Sequence, residues 1–510
     1  MVKASNLLGL VIAGTIAIVA SLIKLMICEP TWDSFDFLMN AEYYFLGKQA
    51  FEFSVGYKVN PTMIDARPPL LPFLIAVGFS IFGVDERAGF MASASIFSLG
   101  IVGVYLFIRK FLGVEYGVLA SLLFAFNPVV YDWSVRIYTN VEMVSIAVLA
   151  IYSFTNAIDG DKRWYYVAFP LLASTVLMRF SGVMIVLPIL MYAFDKGKIR
   201  ELFGLTALKG LFAGAVYGVS VSLPWLTYWF KTDGALFLIK IANFFLFRPF
   251  SPDMIPYVSP LGYMYYVVKL PQILGPMFPV LTPLFLIGLL QVKNSKGSFA
   301  RMNVIWFLAF FTLYSMSTMK SLRYGVEFVV PMMAICLSGL RWLVNAIMEF
   351  SRSKGLYKKH AQVISVSLLI LITMHSACSV VATTSYAGDI KINSEFKEIS
   401  LWLKDNIPAT ENVASNYWPH LAWYSQRTVA YAPSHEEFIL GDAREWFPSY
   451  LRGTSYVVYL VWDCFGRYTE DFSNLSTEQI FGNVTYLRPI FVSKTGHIIV
   501  YEVLQEELVE

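Results

Sequence analysis

Long apolar runs, separated by short polar segments, occupy most of the first three quarters of the chain. Each run is long enough, or nearly long enough, to cross a bilayer as a helix, which needs about 20 apolar residues. Eleven runs share this property: Leu7–Met26, Phe90–Ile108, Val114–Phe126, Val141–Ala157, Trp164–Leu177, Ser181–Phe194, Leu211–Tyr228, Leu274–Leu290, Val304–Tyr314, Phe328–Ile347 and Val363–Val381. The pattern predicts a mainly α, polytopic membrane helix bundle with about eleven spans.

A shorter apolar segment, Pro69–Phe82, decides the orientation of everything that follows it. If this segment lies along the membrane surface, nearly every cluster of Lys and Arg falls on the same side as the N-terminus. If it crosses the bilayer, those clusters move to the opposite side, against the rule that basic loops stay in the cytoplasm. We therefore predict a juxtamembrane helix here, a cytoplasmic N-terminus and an extracytoplasmic C-terminus.

The character of the sequence changes after about residue 383, where polar and apolar positions become mixed. Asn393–Asn406 has the 3.6-residue spacing of an amphipathic helix. Ser455–Val461 and Ile498–Val503 are typical of buried strands. We predict a transmembrane domain over residues 1–383 and a small, soluble, extracytoplasmic α/β domain over residues 384–510.

Composition agrees with a membrane protein and excludes several classes of function. The 510 residues are 57% hydrophobic and 15% charged, a balance that leaves too little polar surface for a water-soluble globule. The net charge of +3 is spread over short loops, so no nucleic acid partner is predicted. The sequence contains no metal-ligand cluster or phosphate-binding glycine loop. No cofactor is assigned, and a divalent metal is left open.

Charged and polar residues gather in the loops predicted to lie outside. The first outer loop contains Asp33, Asp36 and Arg67, and the second contains Arg136, Asn140 and Glu142. Each carboxylate also has an ordinary structural interpretation, because acids commonly cap helices or stabilise the first helical turn.

Cations on the disfavoured side of the membrane form a second group. Arg179 interrupts an apolar stretch, where a position in mid-bilayer would cost roughly 2.5–3.5 kcal/mol. It must therefore reach the outer surface or face a polar cavity. Lys320, Arg323 and Tyr324 precede a late helix on the outer side. Carboxylates and cations at a membrane surface suit chemistry on a lipid-linked phosphate, with an acid as general base and the cations stabilising the leaving group.

The first outer loop carries the most specific motif. An acid, an aromatic residue, a small residue, a glycine and a basic residue before Pro-Pro-Leu follow in order as Asp33, Phe37, Ala41, Gly47 and Arg67-Pro68-Pro69-Leu70. This order resembles the polytopic glycosyltransferases of the C superfamily, specifically the dolichyl-phosphate-mannose protein mannosyltransferases and lipid A aminoarabinose transferases. Later matches are Met178-Arg179-Phe180 and Arg323-Tyr324 with Lys320 upstream. One position departs from the family pattern, which commonly has an acid after Thr139 where this chain has Asn140; Glu142 is the candidate substitute.

The resemblance implies a hexosyl- or pentosyltransferase that moves a sugar from a polyprenyl (dolichyl-type) phosphate to an acceptor hydroxyl on the extracytoplasmic side. The implied partners are this donor, a protein, lipid or glycan acceptor, and membrane lipid. Asp33 is implied as the base, with Asp36 as the alternative one turn later. The implied contacts to the donor phosphate are Arg67, Arg179, Lys320, Arg323 and Tyr324.

Two other classes of function stay in competition with this one. A transporter or lipid-binding scaffold would use the external domain to bind a partner, although the sequence shows no internal duplication of the kind common in transporters. An oligosaccharyltransferase-like enzyme would transfer a whole glycan to asparagine.

Overall fold

The computed structural model describes residues 4–27, 30, 32–46, 68–233, 261–293, 297–317, 320–353, 371, 388–427, 429–433, 435, 438, 442–461, 480–482 and 484–508. The chain divides into two compact units. The first comprises Met1–Cys28 and Pro68–Ser385, and the second comprises Glu29–Arg67 and Tyr386–Glu510. The predicted domain boundary at residue 383 and, apart from Leu371, the predicted span Val363–Val381 lie outside the described residues and stay predictions.

Helices make up the first unit. In chain order, with α2 (Trp32–Leu46) assigned to the second unit, they are α1 (Ala4–Ile27), α3 (Leu70–Phe82), α4 (Glu86–Leu112), α5 (Val114–Ala125), α6 (Pro128–Trp133), α7 (Asn140–Asp159), α8 (Tyr165–Met178), α9 (Val186–Asp195), α10 (Leu205–Asp233), α11 (Tyr265–Leu274), α12 (Phe278–Leu290), α13 (Ser298–Met316) and α14 (Val326–Ser353). Short 3-10 turns, including Phe180–Ile185 and Leu322–Gly325, connect some of these helices.

Seven helical segments among the described residues are long and apolar enough to cross a membrane. They are Ser5–Met26, Glu86–Leu112, Asn140–Asp159, Leu205–Thr227, Gly262–Leu290, Ser298–Met316 and Leu322–Glu349. Leu70–Phe82, Val114–Ala125 and Phe180–Asp195 are apolar but shorter. The prediction of a mainly helical membrane protein is confirmed. The count of eleven spans stays a prediction, because a short apolar helix crosses only where its flanks contribute or the bilayer thins.

Large apolar side chains point outward from these helices. Leu8 and Ile18 of α1 are 62% and 60% exposed, and Phe212 of α10 is 71% exposed. A soluble bundle would bury such residues, whereas lipid tails solvate them. The outward apolar surface therefore indicates an integral membrane protein. Which side of the membrane each terminus faces stays a prediction.

Helices α12 and α14 pack closely because each offers a glycine at the contact. A Cβ atom on Gly288 would lie 2.1 Å from the Ile335 carbonyl oxygen, and one on Gly339 would lie 2.1 Å from the Leu284 carbonyl oxygen. Small residues at such contacts let two helix backbones approach inside a membrane.

Substituting Gly288→Val is expected to lower the melting temperature of the purified protein, because the added methyl groups meet backbone atoms that cannot rotate away. Overpacking of this kind costs roughly 1–3 kcal/mol. Gly14→Val on α1 is the control, since a Cβ atom there meets nothing within 4 Å. Equal melting temperatures for the two variants would contradict the close packing of α12 on α14.

The second unit contains helices and one sheet. Besides α2, its elements are α15 (Gly388–Asn406), β1 (Val413–Ser415), α16 (Trp418–Ser425), β2 (Val429–Tyr431), α17 (Ala443–Tyr450), β3 (Tyr456–Leu460), β4 (Leu487–Val492) and β5 (Ile498–Val503). The strand order is β2-β1-β3-β5-β4. Strand β1 is parallel to β2 and β3, and β5 is antiparallel to β3 and β4.

Aromatic and aliphatic side chains fill the core of this unit. Phe438, Phe447 and Phe481 pack together, and Phe438 and Phe481 contact Tyr459 of β3. A small C-terminal sheet and the two predicted strands are confirmed, and the division into domains stays a prediction. The predicted amphipathic helix begins five residues earlier than expected, at Gly388.

Candidate functional site

Four helices of the first unit bring their ends together around one buried ion pair. Asn140 begins α7, Arg179 follows the last residue of α8, Tyr314 lies in the last turn of α13, and Glu327 is the second residue of α14. Together with Thr139 and Ser181 we call these residues the Arg179 cluster. Two of its members, Arg179 and Asn140, were predicted from the sequence.

A tight break after α8 delivers Arg179 to this position. The Arg179 backbone is extended, with φ −160° and ψ 129°, and the 3-10 turn Phe180–Ile185 begins directly after it. A Cβ atom on Gly182 would lie 2.5 Å from the Thr175 carbonyl oxygen, so only glycine fits this turn. The apolar stretch that Arg179 interrupts is therefore two separate helices, and the guanidinium lies at their junction.

Glu327 pairs with Arg179 and is fully buried. Arg179 Nε lies 2.9 Å from Glu327 Oε1, and the Glu327 side chain is 0% exposed. Asn140 Nδ2 donates to Oε1 at 3.1 Å, Ser181 Oγ donates to Oε2 at 3.1 Å, and the Tyr314 hydroxyl also donates to Oε2. Each carboxylate oxygen thus accepts from two donors. A buried charge is tolerated only when it is paired and hydrogen-bonded in this way.

The other face of Arg179 meets polar and aromatic groups. Its Nη1 donates to Asn140 Oδ1 at 3.3 Å and to Thr139 Oγ1 at 3.4 Å. The guanidinium lies 5.1 Å from the centre of the Tyr324 ring. Tyr324 in turn stacks on Tyr314, with ring centres 4.7 Å apart and planes within 8°. These contacts leave 18% of the Arg179 side chain exposed.

Arg323 lies beside the cluster among aromatic rings. Its guanidinium is 4.8 Å from the Tyr138 ring centre, 5.4 Å from that of Tyr324 and 5.5 Å from that of Trp133. We call these three rings the aromatic frame. Rings hold a guanidinium by cation–π attraction without neutralising its charge. The three rings therefore fix the direction of the Arg323 guanidinium.

Lys320 also lies at this end of the bundle. Its amine donates to the carbonyl oxygens of Tyr314 at 2.8 Å and Ser315 at 2.7 Å, in the last turn of α13. Burial lowers the pKa of the Lys320 amine below its usual value of 10.5. A bound anion would raise it again by favouring the charged form.

The segment between α6 and α7, which carries Tyr138 of the aromatic frame, has a strained backbone. Val135 and Ile137 adopt positive φ angles of 63° and 54°, which β-branched residues rarely do. Strain of this kind persists where surrounding structure enforces it, and it concentrates at functional sites. Arg136, from the same segment, pairs with Asp132 at 2.6 Å.

Glu142 lies two residues beyond Asn140 and faces a different helix. Its carboxyl group is fully buried beside Ser93 of α4, and neither of its oxygens has a hydrogen-bond partner among the described residues. The carboxylate that meets Asn140 is Glu327. Glu327 was missed because an acid in the first turn of a helix is usually explained by the helix dipole. The predicted role of Glu142 stays a prediction.

The predicted catalytic acids both lie on α2, in the second unit. Asp33 is the second residue of that helix, and its side chain is outside the described residues, as is all of Arg67. Asp36 is buried, with 5% of the residue exposed. Within the described ranges, no group of three or more His, Cys, Asp or Glu side chains is placed to hold a metal ion.

Helix α2 is attached to the C-terminal part of its unit through Phe35. The Phe35 ring centre lies 4.2 Å from that of His420, 5.5 Å from that of Tyr424 and 6.4 Å from that of Trp423, all on α16. Phe35 and His420 are both fully buried. Phe35, one of the two residues between the predicted acids, thus anchors their helix in an aromatic core.

This aromatic core should make the second unit sensitive to acid. His420 also packs on Tyr417 and Phe396, and its burial holds its pKa well below the usual 6.5. Because the folded state favours the neutral ring, the stabilisation is complete above pH 6.5 and is lost as the pH falls below it. Between pH 7.5 and 5, the melting temperature of the parent protein should therefore fall further than that of His420→Phe. An equal loss would contradict this role for His420.

Comparisons with known proteins place the fold. Residues 66–229 match the family model of dolichyl-phosphate-mannose-protein mannosyltransferases. No curated protein sequence matches the chain. The crystal structure of ArnT from Cupriavidus metallidurans bound to undecaprenyl phosphate is similar with a TM-score of 0.64 and 14% identity over 98% of both chains.

A second similar structure is the archaeal oligosaccharyltransferase AglB from Archaeoglobus fulgidus, in complex with an inhibitory peptide and a dolichol-phosphate. It has a TM-score of 0.58 and 14% identity, over 99% of this chain and 75% of AglB. The chain therefore has the fold of ArnT and AglB, and the resemblance to dolichyl-phosphate-mannose-protein mannosyltransferases is confirmed over residues 66–229.

Proposed function

We propose that this protein is a membrane glycosyltransferase that moves a sugar from a polyprenyl phosphate to an acceptor hydroxyl on the extracytoplasmic side. The observation that carries the proposal is the gathering of Arg179, Lys320 and Arg323 at one end of a membrane helix bundle. Of these three cations, Arg179 pairs with the buried Glu327. ArnT, bound to undecaprenyl phosphate, and AglB, bound to dolichol-phosphate, support a lipid phosphate as the anion.

The cations would act on the leaving group. When the bond between the anomeric carbon and the phosphate oxygen breaks, negative charge develops on the departing polyprenyl phosphate. Donors fixed in advance at that position lower the barrier more than mobile ones, because they need no reorganisation during the reaction. The aromatic frame fixes Arg323 in this sense, and Glu327 fixes Arg179. Arg67 is proposed to contact the same phosphate.

Asp33 is proposed to act on the acceptor. It removes the proton from the acceptor hydroxyl while the oxygen attacks the anomeric carbon from the side opposite the phosphate. One C–O bond forms as the other breaks, so the configuration of the sugar inverts. The proton passes to Asp33, and the lipid leaves as polyprenyl phosphate. Asp36 is the alternative base.

Transfer of a whole glycan to a peptide is the second candidate function. It is favoured by the likeness to AglB, which extends over 99% of this chain. The two functions differ in both the donor and the acceptor, so one assay separates them.

The test is sugar transfer by the purified protein in proteoliposomes. Radiolabelled single sugars on polyprenyl phosphate are supplied with protein, lipid or glycan acceptors, and lipid-linked oligosaccharides are supplied with an Asn-containing peptide. Transfer from a polyprenyl phosphate monosaccharide supports the first function, and labelling of the peptide by the oligosaccharide supports the second. Movement of lipid or solute without transfer to any acceptor would overturn both and favour transport.

A further inference from the structure

We propose that Glu327 is a positioning residue that holds Arg179 for the donor phosphate, and that a carboxylate at position 140 can take over this role. The proposal rests on the proposed function for the identity of the ligand. Its geometry comes from the Arg179 cluster alone.

Arg179, Asn140 and Glu327 form a closed triangle of hydrogen bonds. Arg179 Nε donates to Glu327 Oε1 at 2.9 Å, Asn140 Nδ2 donates to the same oxygen at 3.1 Å, and Arg179 Nη1 donates to Asn140 Oδ1 at 3.3 Å. The three side chains come from the junction after α8, the start of α7 and the start of α14. Asn140 therefore bridges the cation and its carboxylate.

The burial of the two charged partners assigns them different tasks. Glu327 is 0% exposed, so it does not touch a substrate, whereas Arg179 is 18% exposed and can be reached by one. Glu327→Gln would remove the charge and leave a single carbonyl oxygen, so the four donors to Glu327 would compete for one acceptor. The guanidinium would then lose its counter-charge, and the hydrogen bonds that fix its direction would be disrupted.

Position 140 is where a replacement carboxylate fits. Asn140 Oδ1 already accepts from Arg179 Nη1, so Asn140→Asp keeps that acceptor and adds the charge beside the guanidinium. With Glu327→Gln in the same protein, the new amide can donate to the new carboxylate. The exchange preserves one acid and one amide next to Arg179.

An ion pair between α9 and α13, outside the Arg179 cluster, supplies the matched control. Arg301 Nε pairs with Asp195 Oδ2 at 2.7 Å, and Asp195 is 7% exposed. Arg301 lies thirteen residues before Tyr314 on α13, about 20 Å away along the helix. Asp195→Asn therefore removes a buried carboxylate from an arginine without touching the Arg179 cluster.

The experiment measures the affinity of purified protein for undecaprenyl phosphate, with undecaprenol as the uncharged comparison. Glu327→Gln should weaken phosphate binding on the order of tenfold or more, the usual effect of misplacing a charged hydrogen-bond donor. It should leave undecaprenol binding unchanged. The double variant Asn140→Asp/Glu327→Gln should recover most of the lost affinity, and Asp195→Asn should bind like the parent.

Several outcomes would overturn the proposal. If Glu327→Gln and Asp195→Asn change the affinity for undecaprenyl phosphate equally, Glu327 has only a structural role. If the double variant binds as weakly as Glu327→Gln, a carboxylate at position 140 does not replace Glu327. If Glu327→Gln does not fold, Glu327→Asp is the alternative variant, because its shorter side chain moves the charge away from Arg179 by one methylene group. Folded Glu327→Asp should bind undecaprenyl phosphate more weakly than the parent, and unchanged affinity would overturn the proposal. A parent protein that binds no undecaprenyl phosphate would overturn the proposed function itself.

Discussion

Asp33→Asn is expected to lower the rate of sugar transfer by about 10²–10⁴-fold, the usual contribution of a general base. The substitution keeps the size of the side chain and removes its ability to accept the acceptor proton. Asp33 stands in the first turn of α2, where the helix dipole favours a negative charge. Because the change acts on the acceptor side, the affinity for polyprenyl phosphate should stay within about threefold of the parent value.

Asp36→Asn tests whether the general base is Asp33 or the acid one helical turn later. Asp36 lies one turn later on α2 and is buried, so the substitution is expected to lower stability more than it lowers transfer by folded protein. If Asp36→Asn abolishes transfer while Asp33→Asn retains it, the base is Asp36. If both variants retain full transfer, neither acid is the base and the proposed mechanism is wrong.

Arg323→Ala is expected to lower the rate of transfer by about 10²–10³-fold, the range observed when one fixed donor to a developing negative charge is removed. The aromatic frame should stay in place, because Tyr324 keeps its stacking on Tyr314. Arg323→Lys should recover only part of the rate, since an ammonium group lacks the planar surface that packs on Trp133 and Tyr138. Single-turnover transfer in proteoliposomes measures the effect.

Arg163→Ala is the control for the loss of a positive charge. Arg163 is 89% exposed, pairs with Asp161 and lies just beyond the opposite end of α7 from Asn140. Its removal should leave transfer unchanged. An equal fall in both alanine variants would show that general surface charge, rather than the position of Arg323, matters for the donor.

Much of the fold could be predicted because membrane helices and amphipathic elements leave local patterns. The apolar run in Ser455–Val461 and the 3.6-residue spacing in Asn393–Asn406 each depend on a few neighbouring residues. The number of membrane-spanning helices could not be predicted from such local patterns. Helices such as α5, with 12 residues, are shorter than the bilayer core and cross only with help from their surroundings.

The candidate site could be predicted only in part, because its partners are distant in sequence. Arg179 and Arg323 stood out as cations on the disfavoured side of the membrane. Glu327 had no such signal, since its role depends on meeting Arg179 across two helix ends. Tyr314 is the last residue of an apolar run and had no feature that marked it as part of a site. The positive φ angles of Val135 and Ile137 have no local sequence signature.

The position of a bound lipid phosphate distinguishes this site from the other end of the bundle. That end also carries cations, because Lys110 pairs with Asp159 at 2.7 Å and Lys196 lies 4.0 Å from the same carboxylate. Asp159 ends α7, about 28 Å along the helix from Asn140. The two ends are therefore far enough apart for an experimental density map to separate them.

A structure of the protein in nanodiscs with undecaprenyl phosphate shows directly which end of the bundle binds the lipid phosphate. The proposed function predicts phosphate density within about 3 Å of the Arg323 guanidinium, the usual length of a charge-assisted hydrogen bond. Density beside Lys110 and Lys196, with none at Arg323, would contradict it.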